Sequence, residues 1–210
     1  MTTLADLDWP LHTERLRLDM LRRDQLPLAW RYWGLPQVQE WLGLLPRDLN
    51  EFTERYGERV DAGKTLGVWL RDDLVGDLGL GIGDGWAQSP VREQARGVQG
   101  ELAWCFDPAY GGRGYATESL RSLIGVCFGP LGIRRVSAGC FADNRASWQL
   151  MERLGMRREE ASIRDSLHHS GRWLDGYRYA LLADEWRRTA AGPEATGVDR
   201  SLAGRQEWAP

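Results

Sequence analysis

The chain has 210 residues, and its composition of 42% hydrophobic and 27% charged residues is ordinary for one globular domain with a sizeable core. Its net charge of −3 gives no support for a nucleic-acid binder or a polybasic membrane binder. No apolar run approaches the roughly 20 residues that span a bilayer, and the first residues do not resemble a signal peptide. We therefore expect a cytoplasmic protein with no nucleic-acid or membrane partner.

The cysteines and histidines do not suggest a metal site. Cys105, Cys127 and Cys140 lie in apolar runs without metal-type spacing, and we expect them to be buried thiols. Only three histidines are present, two of them adjacent at His168 and His169. We therefore expect no bound metal.

The first quarter of the chain predicts one strand and three helices. Apolar and polar residues alternate over 16–20, which indicates a strand with one buried face. Asp24 is the expected N-cap of the first helix. A short helix is expected near Pro36, and a longer one over residues 49–62, which Gly63 ends.

The middle of the chain predicts a hairpin, a loop, a strand and a helix. Residues 65–70 and 74–80 flank a polar turn, as in a β-hairpin. The polar stretch 84–97 is expected to be an exposed loop. A strand over 98–106 follows, and a strongly amphipathic helix starts after Gly114.

The last third predicts two strands and a capped helix. Residues 133–140 form a strand rich in β-branched residues, and Asp143-Asn144 is the expected cap of the next helix. Residues 173–182 complete the sheet. We expect one domain over residues 1–189, and a flexible tail over 190–210 because that segment has no hydrophobic periodicity.

The turn before the amphipathic helix is rich in glycine, at Gly111, Gly112 and Gly114. Without β-carbons its backbone can approach a ligand closely, and the free N–H groups of the helix favour an anion such as a pyrophosphate. A purely structural turn is the alternative. Thr117 stands where a dinucleotide fingerprint needs a third glycine, and no Lys-Ser/Thr pair follows as in a Walker loop.

The strings GGRGYATE and LGIRRVSAGCFADNRASWQLMERLGM resemble the GNAT acetyltransferases, specifically the ribosomal-protein N-terminal acetyltransferase (RimJ/RimL-like) branch. TERLRLDML near the start and GRWLDGYRYALLADEW near the end are similar to the same branch, so the resemblance spans about residues 13–188. It implies an α/β (α+β) fold of the GNAT type. In that fold a single mixed, mostly antiparallel sheet of about six or seven strands is flanked by helices, and its central strands are splayed.

The resemblance also implies an acetyltransferase that uses acetyl-CoA as co-substrate, needs no metal and transfers the acetyl group directly within a ternary complex. The pyrophosphate would lie on the glycine turn, and the pantetheine arm along the preceding strand. Gly111 departs from the family pattern, which usually has Gln or Arg there. The implied cofactor-binding residues are Cys105, Phe106, Asp107, Gly111, Gly112, Arg113, Gly114, Tyr115, Ala116, Thr117 and Asn144.

Acetyl transfer to an amine needs a base for the ammonium, a group that polarises the thioester oxygen, and a proton for the leaving thiolate. Glu101 resembles the catalytic glutamate of histone acetyltransferases in this superfamily, and an ion-pair partner is the alternative. Ser147 is the implied proton donor, with helix capping as the alternative. The backbone N–H of Phe106 is implied to polarise the carbonyl. Cys140 is a weaker candidate for a nucleophile, because a buried strand thiol is the favoured interpretation.

The acceptor is expected to be a primary amine, either a protein N-terminus or a small molecule. The candidate acceptor-binding residues are Trp30, Trp33, Trp41 and Trp173, with packing in the core as the alternative. A non-catalytic sensor that binds acyl-CoA is the competing hypothesis. We expect a monomer or a homodimer.

Overall fold

In the computed structural model, which describes residues 2–190, the chain forms eight β-strands and six α-helices. The strands are β1 (Leu11–His12), β2 (Arg17–Met20), β3 (Thr65–Leu70), β4 (Asp73–Gly83), β5 (Gln99–Phe106), β6 (Arg135–Phe141), β7 (Arg157–Leu167) and β8 (Trp173–Leu182). The helices are α1 (Leu26–Trp33), α2 (Pro36–Gln39), α3 (Leu49–Asp61), α4 (Tyr115–Phe128), α5 (Arg145–Arg153) and α6 (Ala183–Ala190).

All eight strands join one sheet in the order β1-β2-β3-β4-β5-β6-β8-β7. Neighbouring strands are antiparallel except β5 and β6, which are parallel. The parallel ladder pairs Gln99–Glu101 with Arg135–Ser137 and stops there. Beyond it the two strands separate, which confirms the predicted mixed, mostly antiparallel sheet with splayed central strands.

Two strands raise the count above the predicted six or seven. β7 was not predicted because nearly all its side chains are exposed. Its sequence therefore lacks the alternation of apolar and polar residues that indicates a half-buried strand. β1 is only two residues long. Both are edge strands of the sheet, so each has a neighbouring strand on one side only.

The first helix begins later than predicted. Arg23–Gln25 form a 3-10 turn, and α1 starts at Leu26 without a side-chain cap. The side chain of Asp24 instead forms an exposed salt bridge of 3.3 Å with Arg22. The prediction that Asp24 caps this helix was therefore wrong.

Two helical layers cover the two faces of the sheet. On one face, α4 buries an apolar stripe that includes Leu120, Leu123 and Ile124 in the main core, which α5 also joins. On the other face, α1 and α3 form a second core with residues such as Phe52 and Cys105. The open middle of the sheet is thus reached from both sides.

Asp77 on β4 ties the second layer to the sheet. Its buried carboxylate accepts hydrogen bonds from the hydroxyl of Tyr32 (2.7 Å), the indole N–H of Trp33 (2.7 Å) and the hydroxyl of Tyr56 (2.5 Å). Burial raises the pKa of Asp77, while the three donated hydrogen bonds act in the opposite direction. One carboxylate therefore connects α1, α3 and β4.

Within residues 2–190, none of the helices has the combination of length and apolar character needed to cross a bilayer. The predicted flexible tail lies outside the described residues, except that α6 ends at Ala190. The domain boundary at residue 189 stays a prediction.

Candidate active site

The gap between β5 and β6 presents a free backbone edge. Asp107 directly follows β5, and its N–H donates to the carbonyl of Val75 on β4 at 3.0 Å. The backbone groups of every second residue before it on β5 therefore also point toward β4. The groups of Leu102, Trp104 and Phe106 accordingly point toward β6. Because β5–β6 pairing stops at Glu101, these N–H and C=O groups face the gap and can pair with the amides of an extended ligand.

Two cavities meet at this gap. The α5 cavity, of about 500 Å³, lies on the side of α5 and is lined by residues that include Phe106, Asn144 and Ser147. The β8 cavity, of about 540 Å³, opens on the opposite side near β7 and β8. The residues that line both cavities are Trp41, Gly43, Leu102, Ala103, Gly139 and Cys140. A ligand in one cavity can therefore reach a ligand in the other through the splayed sheet.

The glycine turn forms an exposed cradle at the start of α4. Gly112 and Gly114 have φ values of +72° and +82°, which L side chains rarely adopt, and a β-carbon on Gly112 would point into open space. The first main-chain bond of the helix runs from the N–H of Glu118 to the carbonyl of Gly114. The preceding N–H groups, of Tyr115, Ala116 and Thr117, lie in the first turn and are available for an anion.

Arg15 and Thr13 hold this cradle from the N-terminal segment. The Glu118 carboxylate accepts hydrogen bonds from the hydroxyl of Thr13 (2.5 Å) and from the backbone N–H and guanidinium of Arg15 (2.9 and 2.7 Å). Burial alone would raise the pKa of Glu118, but these hydrogen bonds outweigh it and the pKa lies below its ordinary value. Arg15 also donates to the carbonyl of Arg113 at 2.9 Å.

Arg15 was not among the predicted site residues. Its guanidinium lies 3.4 Å from the position that a β-carbon on Gly114 would take, and 4.7 Å from the ring centre of Tyr115. The TERL string that contains Arg15 resembles the family but does not by itself indicate a role for the arginine. Its role in the cradle becomes visible only when residues about a hundred positions apart are brought together.

Glu101 lies where the parallel ladder ends and lines the β8 cavity. Its side chain is 67% exposed, and a carboxylate oxygen lies 3.6 Å from the guanidinium of Arg178 on β8. Arg178 also approaches Glu160 of β7, at 3.9 Å. Glu101 is therefore an accessible carboxylate of the β8 cavity, held in a loose ion pair, and its chain neighbour Leu102 lines both cavities.

Ser147 and Cys140 lie side by side on the opposite side of the gap. Ser147 is buried in the first turn of α5, and its hydroxyl hydrogen-bonds the Cys140 thiol. Asn144, as predicted, caps α5, since its side-chain oxygen accepts from the N–H of Ser147 at 3.2 Å. The cap is therefore supplied by Asn144, which leaves the Ser147 hydroxyl for another role.

The cysteines do not behave alike. Cys105 and Cys127 are buried as predicted, but Cys140 is only half-buried and lines both cavities. The expectation that Cys140 is a buried thiol was therefore wrong. Burial still raises its pKa, and the hydrogen bond from Ser147 offsets only part of that effect.

The residues predicted at the end of β5 are turned in different directions. Phe106 presents its backbone N–H to the gap, by the alternation described above. Cys105 lines the α5 cavity and is buried in the core formed with α1 and α3. The side chain of Asp107 accepts from the N–H of Ala109 at 2.9 Å, which shapes the turn that leads to Gly111.

The structure brings one of the four candidate acceptor tryptophans to the cavities. Trp41 lines both of them. Trp33 is buried on Asp77, and Trp30 packs on Phe52 with ring centres 5.4 Å apart. Trp173 is 56% exposed at the start of β8. For Trp30 and Trp33 the contacts are those of the core alternative.

The face of β4 beside Glu101 has almost no side chains. Gly79 and Gly81 pair with Ala103 and Glu101 of β5, and Gly83 follows on the same face. The intervening residues of β4 are apolar and turn into the main core. The alternation of glycine and apolar residues thus leaves an open floor on the side of the β8 cavity.

Among the described residues, one group has the composition of a metal site. The side chains of Glu40, His168 and His169 place ligand-type atoms within 4.8 Å of one another. The ring nitrogens of His168, however, already contact the carbonyl of Glu40 and the hydroxyl of Ser170, each at 2.8 Å. This group is better described as a set of hydrogen bonds between two loops.

The sheet is therefore splayed at its centre, with the glycine turn at the start of α4 and two cavities that share lining residues at the gap. A family model described as an acetyltransferase (GNAT) domain matches residues 15–157. The chain therefore belongs to the GNAT acetyltransferase family, as the sequence predicted, and is an N-acetyltransferase by class.

Relatives in Bacillus agree with this assignment. The uncharacterized N-acetyltransferase YnaD of Bacillus subtilis is 34% identical over 86 residues, which cover 41% of this chain and half of YnaD. The uncharacterized N-acetyltransferase p20 of Bacillus licheniformis is 25% identical over 84% of this chain and 97% of its own length.

Solved structures share the fold. A GNAT acetyltransferase from Bacillus anthracis superposes with a TM-score of 0.71 at 23% identity, over 84% of this chain and all of that one. RimL, a ribosomal L7/L12 α-N-protein acetyltransferase in complex with coenzyme A, gives a TM-score of 0.68 at 18% identity, over 82% of this chain and 97% of RimL. Mycobacterium smegmatis RimJ gives 0.66 at 18% identity, over 84% and 88% of the two chains.

Proposed function

We propose that the protein transfers an acetyl group from acetyl-CoA to a primary amine, directly, within a ternary complex. The observation that carries this proposal is the connection of the α5 and β8 cavities through the gap between β5 and β6, with six residues lining both. Two substrates that enter from opposite faces meet where Glu101 and Ser147 lie on either side. A sensor that only binds cofactor has no need for the second cavity.

The residues present fit coenzyme A. The free N–H groups at the start of α4, the positive φ of Gly112 and Gly114, and the open space beside Gly112 suit a pyrophosphate. Leu102, Trp104 and Phe106 offer backbone groups for the pantetheine amides. When bound, acetyl-CoA supplies an activated acetyl thioester.

Three groups of the chain have roles at the reacting atoms. Glu101 accepts a proton from the acceptor ammonium, directly or through water, since it is exposed in the β8 cavity. The backbone N–H of Phe106 donates toward the carbonyl oxygen. The hydroxyl of Ser147, which lines the α5 cavity, donates to the sulfur that leaves.

The acceptor is a protein N-terminus or a small amine. The β8 cavity contains three carboxylates, of Glu101, Glu160 and Asp165, and two guanidinium groups, of Arg59 and Arg178. This balance does not form a strong trap for a polycation, and it suits a singly charged amine. RimL, which shares the fold, is an α-N-protein acetyltransferase, which supports a peptide N-terminus as the first acceptor to test.

The test is release of free thiol from acetyl-CoA in the presence of N-terminal peptides, small amines and polyamines. Turnover with at least one amine, together with acetylated product detected by mass spectrometry, is the expected result. Tight coenzyme A binding without turnover on any amine would favour the sensor instead. Stabilisation by ATP or NAD but not by coenzyme A would exclude both.

A further inference from the structure

His168 connects two loops that are far apart in the sequence. It lies in the β7–β8 hairpin and is 6% exposed. Its Nε2 lies 2.8 Å from the backbone carbonyl of Glu40, in the segment after α2. Its Nδ1 lies 2.8 Å from the hydroxyl of Ser170 and 3.3 Å from the Ser170 backbone N–H.

These partners determine the protonation of the ring. A carbonyl can only accept, so Nε2 carries the hydrogen and donates it to Glu40. A backbone N–H can only donate, so Nδ1 presents its lone pair to Ser170. Both ring nitrogens are therefore engaged, Nε2 with the Glu40 carbonyl and Nδ1 with Ser170.

The segment that His168 holds forms a wall of both cavities. Trp41 and Gly43, just after Glu40, line the α5 cavity and the β8 cavity alike. The ring of Trp41 lies 5.9 Å from His168 and 6.2 Å from Phe141, and Phe141 meets His168 edge-on at 5.4 Å. The three rings pack together, and two of them, Trp41 and Phe141, line the β8 cavity.

We propose that His168 is a positioning residue for the acceptor: its Nε2–H bond to the Glu40 carbonyl holds Trp41 in place, so that the segment after α2 and the β7–β8 hairpin close around the amine substrate together. This inference rests on the proposed function. It assigns to a residue outside the reacting centre a larger effect on acceptor binding than on coenzyme A binding.

Two amide substitutions distinguish the roles of the two ring nitrogens of His168. In His168→Gln the side-chain amide can occupy the place of Nε2 and still donate to the Glu40 carbonyl. In His168→Asn the shorter amide replaces the Nδ1 side and loses that bond. We expect His168→Asn to raise the acceptor KM by about five- to tenfold, the effect of one net hydrogen bond, with kcat changed less than twofold. His168→Gln should recover most of the wild-type KM. Because Trp41 also lines the α5 cavity, the Kd for coenzyme A should change in His168→Asn, but less than the acceptor KM does.

Two further variants test the nature of the bond. His169→Ala removes the neighbouring exposed ring, which is tilted by 44° to His168 with ring centres 4.1 Å apart and has its Nε2 3.7 Å from the Glu40 carboxylate. It should change the acceptor KM less than twofold, because exposed ion pairs contribute little. Glu40→Ala keeps the carbonyl and should also have a small effect. A large effect of Glu40→Ala, or stoichiometric Zn²⁺ binding that His168→Asn abolishes, would overturn the proposal in favour of an ion pair or a metal site.

Hydrogen exchange provides a readout that does not need turnover. Amides of residues 41–43 should exchange faster in His168→Asn than in the wild type or His168→Gln, while those of α4 remain unchanged. Equal exchange in all three proteins contradicts the role of His168. Absence of turnover in the wild type with every amine contradicts the proposed function alone.

Discussion

Cys140 and Ser147 place a thiol and a hydroxyl together at the meeting point of the two cavities. Burial raises the pKa of Cys140 above its ordinary value near 9, so its thiolate is scarce at neutral pH. This chemistry opposes a nucleophilic role and agrees with direct transfer to the amine. The position of the thiol nevertheless makes it a reporter of the cofactor.

Alkylation of Cys140 by iodoacetamide should depend on both pH and cofactor. Because the thiolate is the reactive form, the rate should be low at pH 7 and keep increasing as pH rises past 9. Saturating acetyl-CoA should protect the thiol. Peptide mapping identifies the site, and Cys105 and Cys127 provide internal controls because both are buried and burial raises the pKa of Cys127 to about 12. Equal labelling with and without cofactor would contradict the placement of the cofactor.

The substitution Glu101→Gln tests whether Glu101 is the general base. Removing a general base typically lowers turnover by about 10² to 10⁴-fold, and we expect that loss in kcat at neutral pH with an unchanged Kd for coenzyme A. Glu160→Gln is the matched control, because Glu160 is another exposed carboxylate beside Arg178 in the β8 cavity. Comparable losses of kcat in both variants would show that the charge of the cavity matters rather than the position of Glu101.

At the scale of elements, the cradle depends on a backbone conformation and on open space above it. Gly112 and Gly132 both have positive φ, +72° and +64°, and a β-carbon at either meets no atom within 4 Å. Gly132 lies in the turn between α4 and β6, away from the cradle. A substitution at either position therefore strains the backbone, but only Gly112 lies where coenzyme A is proposed to bind.

The substitutions Gly112→Ala and Gly132→Ala should distinguish the effect of backbone strain on stability from an effect on coenzyme A binding. Each substitution should lower the free energy of unfolding by about 1–2 kcal/mol, the cost of left-handed backbone for an L residue. Only Gly112→Ala should also weaken coenzyme A binding, by tenfold or more, as measured by calorimetry. Equal affinities of the two variants would remove Gly112 from the cofactor site.

The Asp77 junction predicts a large stability effect. In Asp77→Asn, the new amide N–H₂ must face a group that donates, so one of the three buried donors loses its acceptor. We expect a loss of about 2–4 kcal/mol in urea unfolding. Tyr56→Phe removes one donor without creating that conflict, and should cost clearly less. A neutral effect of Asp77→Asn would contradict a carboxylate that accepts all three bonds.

Helices and strands were predictable where one face is buried or an end is capped. The cap at Asn144 and the apolar stripe of α4 are local patterns, and the structure confirms them. β7 has almost no buried side chain, and Asp24 has a nearby arginine to pair with, so local rules failed there. The contacts of Arg15 and His168 join distant residues, and no spacing in the sequence indicates them.

For the whole molecule, the sheet consists of two parts, β1–β5 and β6–β8, whose only ladder in the described chain is the short pairing of β5 with β6. The glycine turn before α4 was predictable from the residues themselves. The splayed strands came from the family resemblance. Core packing of Trp33, by contrast, required the partner Asp77 on a strand 44 residues away.

A ligand in the gap should strengthen the connection between the two parts. Coenzyme A at about 100 times its Kd should increase the free energy of unfolding by about 2.7 kcal/mol, with slower hydrogen exchange along β5 and the start of α4. Urea unfolding measures the first quantity. Gly112→Ala should show a smaller increase at the same concentration. Stabilisation by ATP of the same size would mean that the site recognises only phosphate.

The glycines of β4 have a practical consequence for redesign. Gly81 lines the β8 cavity and Gly83 follows it on the same face of β4; a new β-carbon on either would have at least 3.9 Å of clearance, whereas one on Gly79 would lie 3.0 Å from Arg59. The apolar residues between them face the main core. Side chains of graded size at these two positions could therefore narrow the range of amines accepted, leaving the coenzyme side untouched. Gly83, which has no atom within 4 Å of a new β-carbon, is the position to vary first, because a side chain on Gly81 would lie beside Glu101.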